Sequence, residues 1–246
     1  MESKSPTKSV AVIVAHPDDE TLWAGGMLLS HPTWDVFVLS LCRGSDPDRA
    51  PKFFRTLQIF GADGRMNDLD DGPGQVPLAN CDLEDAIMQG LPSKHFDLLI
   101  SHSPAGEYTR HRRHEEIGTA VISLWHTGKL RSDKLWTFAY EDGEKHYYPR
   151  PIRTAHIYQD LDKDIWRRKH DIITTSYGLP DFSFEAETTP RAEAFWHFGN
   201  PEDAQQWLMN NVFQYESSPA LSLPSASGWA IHTRTSPLSR VIRVRG

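Results

Sequence analysis

The 246-residue sequence predicts an α/β fold, a Rossmann-like three-layer sandwich around a mainly parallel sheet. Two observations carry this. Short apolar runs, rich in β-branched residues, recur at 9–15, 35–41, 96–101 and 134–140, each with the look of a strand buried on both faces. Between them lie stretches of helical spacing at about 20–30, 49–60, 81–90 and 111–126. Alternation of strand and helix implies right-handed parallel crossovers.

The first run, Ser-Val-Ala-Val-Ile-Val-Ala, has no polar side chain after its serine and opens the sheet. After the fourth run, residues 141–155 are rich in charge, Tyr and Pro, which favours a loop or small hairpin forming one wall of a pocket. Residues 160–176 have helical character, with Ile165, Trp166, Ile172 and Ile173 able to bury one face. Further helices are expected over 190–198 and 201–213. The Ser- and Pro-rich tail, 217–246, reads as coil with one edge strand near 239–244. No repeat or long linker interrupts the chain, so a single domain over 1–246 is expected.

Apolar residues make up 39% of the chain and charged residues 24%, which excludes a wholly disordered chain. The net charge of −7 argues against a nucleic-acid partner held by a general basic surface. No apolar run approaches the roughly 20 residues of a membrane span, and the start is polar, so no membrane partner is expected. Cys42 and Cys81 are too few for a disulfide framework and form no paired metal motif. These features fit a cytoplasmic protein, and a homo-oligomer is compatible with them.

Directly after the first strand comes Ala15-His16-Pro17-Asp18-Asp19-Glu20-Thr21. It sets a histidine and three carboxylates at the C-terminal edge of a buried strand, where open α/β sheets build their sites. A His and a carboxylate three residues apart across a turn can face one ion, and imidazole suits zinc better than magnesium. Asp18 or Asp19 could instead cap the next helix. Capping alone leaves the crowd of charges beside an apolar strand unexplained. Gly25 and Gly26 complete no dinucleotide fingerprint.

The second polar cluster runs from Ser103 to Glu116 and contains Glu107, Tyr108, His111 and His114 ahead of an apolar helix. A His-x-x-His pair alone is weak evidence in a chain with 12 histidines. Two strand ends of one sheet can nevertheless meet in one crevice. His16, Asp19 and one histidine from 111–114 would then supply three ligands and leave a position open for water.

These two motifs, at 10–30 and 103–118, resemble the LmbE-like, or PIG-L, family of zinc-dependent N-deacetylases. The resemblance implies an LmbE-like fold, with Zn2+ held by His16, Asp19 and His114. It further implies Asp18 as general base and His111 as a second catalytic group that, when protonated, stabilises the oxyanion or acts as acid. Arg49, twelve residues before Gly61, and Asp71 are implied as substrate-binding residues. Arg55 is a less well-spaced alternative to Arg49, and a plain Asp-Gly turn is the alternative role of Asp71. Where family members carry an aromatic closer to the first histidine, this chain has Tyr108-Thr-Arg, so Tyr108 is not assigned to the pocket.

The activity so implied is removal of an N-acetyl group from a small-molecule amino sugar, of the N-acetylglucosamine type or a conjugate of it, releasing acetate and a free amine. The alternative is a zinc amidase acting on a thiol (cysteine) conjugate or another non-sugar amide. Tyr147, Tyr148, Trp166 and Trp196 could stack on a sugar ring, but their spacing favours the core.

Overall fold

The structure, a computed structural model, describes residues 7–216, and of these the side chains of 7–210. The first half alternates strictly: β1 (Ser9–Val14), α1 (Asp19–Ser30), β2 (Asp35–Cys42), α2 (Arg49–Phe60), β3 (Asp63–Leu69), α3 (Asn80–Gly90), β4 (Leu98–Ser101), α4 (Arg112–His126) and β5 (Leu135–Phe138). The small hairpin β6 (Tyr140–Glu141) and β7 (Arg150–Pro151) follows. Then come β8 (Ile157–Asp160), α5 (Lys163–Asp171), a π-helical turn (Ile172–Ser176), α6 (Phe184–Thr188), β9 (Ala192–Phe198) and α7 (Pro201–Glu216).

The pleat of β1 explains its composition. Val10, Val12 and Val14 pack on one side of the sheet in a cluster with Trp23, Leu28, Phe53 and Leu57 of α1 and α2. Ala11 and Ile13 face the other side with Leu83, Ile87, Ile117 and Val121 of α3 and α4. A strand between two helical layers has no face that tolerates a polar side chain.

Among the described residues one sheet has seven strands in the order β3-β2-β1-β4-β5-β9-β8. The strands β1 to β5 are parallel, while β9 runs antiparallel to both β5 and β8. The mainly parallel three-layer sandwich is therefore observed. Because β1 lies between β2 and β4, the chain leaves it in opposite directions along the sheet. The crevice beyond the C-terminal ends of β1 and β4 is the topological switch point.

One element is corrected. Residues 190–198, expected to be helical, form strand β9 between β5 and β8. Ala and Glu favour a helix locally, but Phe195, Trp196 and Phe198 fit a pleated surface, and two neighbouring strands decide the outcome. The edge strands β3 and β8 went unforeseen because they are polar and only half-buried. The edge strand expected near 239–244 lies outside the described residues. No helix among the described residues is long and apolar enough to cross a membrane.

Candidate metal centre

The loop after β1 delivers the first half of the site. His16 N–H donates to Asp19 Oδ2 (2.8 Å), and Trp23 Nε1 donates to Asp19 Oδ1 (3.0 Å), so the Asp19 carboxylate is clamped at the start of α1. The loop after β4 delivers the second half. Here α4 approaches so closely that a Cβ on Gly118 would lie 2.6 Å from the carbonyl oxygen of His102, so only glycine fits.

Three donor atoms converge at the switch point. His16 Nδ1 lies 3.2 Å from Asp19 Oδ2, and His114 Nε2 lies 3.4 Å from each of those atoms. Zinc with four tetrahedral ligands at about 2.0–2.1 Å sets neighbouring donor atoms about 3.3 Å apart. The donor set and its spacing therefore fit zinc.

The opposite edges of the rings fix which nitrogen faces inward. His114 Nδ1 is 2.6 Å from Glu107 Oε2, and His16 Nε2 is 3.1 Å from Asp71 Oδ2. The carboxylate of Glu107 can take the outer N–H of His114 and leave its inner nitrogen facing the cluster, while Asp71 stands behind His16 as an ion-pair partner. His102, adjacent to the same cluster, is different. Its Nε2 accepts the Ala15 N–H (2.9 Å) while Nδ1 faces Glu107 (2.9 Å), so its lone pair is already used. Among the described residues two groupings could hold an ion, His16/His111/His114 and Asp19/His102/His114, and His114 belongs to both.

The charges follow from this packing. Burial acts against an imidazolium at His16, but hydrogen bonds to Asp19 and Asp71 outweigh it and raise its pKa to about 10. Burial likewise opposes a charged Glu107, yet His102 and His114 hold its pKa down at about 2. Burial and the charge of Asp19 push Asp18 well above the usual carboxylate range, with Arg49 pulling the other way. Burial, His114 and His16 together push His111 down to about 2. Its buried Nδ1 has no hydrogen-bond partner among the described residues.

A cavity of about 210 Å³ opens over the triangle. His16, Asp18, Asp19, Arg49, Asp71 and His111 all line it, so six of the seven expected site residues face one space. His114 is fully buried beneath them. Arg49 Nη1 donates to Asp18 Oδ2 (2.6 Å) from the first residue of α2. Asp71 also meets Arg43 (2.9 Å) and Gln75 (2.8 Å), which makes it a support for His16 as well as a wall. Fully buried Arg113 ties down the Asp71 loop by donating to the carbonyls of Asp70 (2.5 Å) and Val76 (2.7 Å).

Sequence reasoning missed several residues. Tyr108 lines the cavity after all, with its ring 5.7 Å from that of His111 and 5.2 Å from Phe184. Phe184 and Glu185 of α6 complete that wall, whereas Tyr147, Tyr148, Trp166 and Trp196 do not line it. His102 had one legible signal, its place immediately after a buried strand. Glu107 had none beyond lying in the second polar cluster.

No family model matches the chain. An uncharacterized protein of Acanthamoeba polyphaga mimivirus is 24% identical over 169 residues, which is 63% of this chain and 72% of that one. Solved structures share the fold at lower identity. The pseudoaglycone deacetylase of the antimicrobial reagent A40926 superposes with a TM-score of 0.57 at 14% identity, over 79% of this chain and 99% of that one. The N,N'-diacetylchitobiose deacetylase of Pyrococcus horikoshii gives 0.56 at 16%, over 78% and 84%. The 4-carboxy-2-hydroxymuconate hydratase GalB of Pseudomonas putida gives 0.54 at 16%, over 78% and 96%. The chain thus has the LmbE/PIG-L fold. Because that fold carries hydrolases and a hydratase, the reaction must be argued from the site.

Proposed function

We propose that this chain is a zinc-dependent hydrolase that removes an N-acetyl group from an amino sugar of the N-acetylglucosamine type, or from a conjugate of one, in the cytoplasm. The observation that carries the reading is the donor triangle of His16, Asp19 and His114, with the ligand-free carboxylate of Asp18 facing the same cavity. The deacetylases among the structural neighbours support it.

Zinc, when bound, supplies a Lewis acid that polarises an amide carbonyl and acidifies water. Asp18 takes the proton of the attacking water. Its raised pKa suits a base that must then hand the proton to the departing nitrogen. His111, which lines the same cavity, donates an N–H to the carbonyl oxygen as charge develops there. Arg49 steadies Asp18 and presents its remaining N–H groups to the substrate. Trp23, Tyr108 and Phe184 give the cavity an apolar wall. A space of about 210 Å³ holds an acetamido group and a ring edge, while the rest of a conjugate stays outside.

The test is acetate release by zinc-loaded protein across N-acetylated sugars and their conjugates, run beside amides of thiol conjugates. Release from the sugars supports the reading. Cleavage confined to thiol-conjugate amides moves the substrate to the alternative class. Hydration of an activated double bond, the chemistry of the hydratase neighbour, predicts no acetate from any member.

A further inference from the structure

The third carboxylate of the first motif is neither ligand nor base in this scheme. Glu20 is fully buried and does not line the cavity. Its Oε2 accepts the backbone N–H of Asp18 (3.1 Å). Its Oε1 accepts the hydroxyls of Thr21 (2.6 Å) and Tyr177 (2.7 Å). Tyr177 is itself buried, directly after the π-helical turn and 157 residues along the chain.

Asp18 is where this arrangement acts. It stands just before α1, where an aspartate ordinarily turns its side chain back to accept an amide of the first turn. Its side chain makes no such bond, and its carboxylate meets Arg49 instead. The backbone is the cause: Asp18 has φ 124° and ψ −26°, a conformation that a residue with a Cβ keeps only when its surroundings impose it. The hydrogen bond from its N–H to Glu20 is an interaction able to impose it.

We infer that Glu20 and Tyr177 are positioning residues that hold Asp18 out of its capping role and aim its carboxylate into the cavity. The kinetic consequence rests on Asp18 being the base; the conformational consequence does not. Tyr177→Phe removes only a hydroxyl. It should retain metal stoichiometry, leave KM within about twofold and lower kcat about tenfold or more, as a misplaced base does. In an Asp18→Asn background the same substitution should cost nothing further, because both changes act on one group.

A crystal structure of metal-free Glu20→Ala should have Asp18 at negative φ with its carboxylate capping α1. If that variant does not fold, the same angle is read in Tyr177→Phe. Wild-type kcat in Tyr177→Phe, losses that multiply in the double variant, or Asp18 still at positive φ would each overturn the inference. Should the wild type hydrolyse no amide, the proposed reaction fails, and the Asp18 angle still decides the positioning role.

Discussion

Asp18 and Asp19 are adjacent in sequence and opposite in their proposed tasks, and their surroundings make the difference. Asp19 is bracketed by three histidines, which hold its pKa well below the usual range against the effect of burial. Asp18 faces Arg49 and the cavity. Asp18→Asn should therefore retain about one zinc per chain and lose about 10²–10⁴-fold in turnover, measured by metal analysis and acetate release together. His114→Ala should instead lose the metal on dialysis. Glu107→Gln leaves all three ligands in place but weakens the carboxylate behind His114, so zinc affinity should fall about 10–100-fold in a competition titration with a chelator. Unchanged affinity would mean that Glu107 serves only the loop.

At the scale of elements, legibility followed burial. β1 and β2 could be read with near-correct bounds because a strand with helices on both faces admits only apolar side chains. The proposed metal ligands were legible because each motif sits on the loop after such a strand. Edge strand β3 has polar residues through most of its length, and β9 owes its conformation to two partners distant in sequence, so neither left a local signal. The supporting residues were hidden for a related reason: Glu107 and Tyr177 matter through what they touch. Packing between elements also sets a limit on change. Gly118→Ala would press a methyl against the backbone of residues 102–104, costing roughly 1–3 kcal/mol in denaturant unfolding and weakening zinc binding with it.

Across the whole molecule, one buried ion pair joins elements far from the site. Lys169 of α5 donates to Glu193 of β9 (2.7 Å), and Glu193 also accepts the amides of Gly26 and Met27 in α1 (2.7 Å each). Lys169→Met would strand a buried carboxylate and should cost about 3–5 kcal/mol in denaturant unfolding. Stripping the metal should lower Tm as well, since an ion at a hundred times its Kd contributes about 2.7 kcal/mol. The proposed ligands for that ion lie at positions 16, 19 and 114, and the carboxylates behind the two histidines come from the loops after β3 and β4. A partly assembled chain can offer only His16 and Asp19, a weak chelate. On the proposed ligand set, a bound ion would read out completion of the central sheet, and protection from amide exchange in β1 and β4 should rise together when it binds, as a single cooperative unit rather than as a locally stiffened loop.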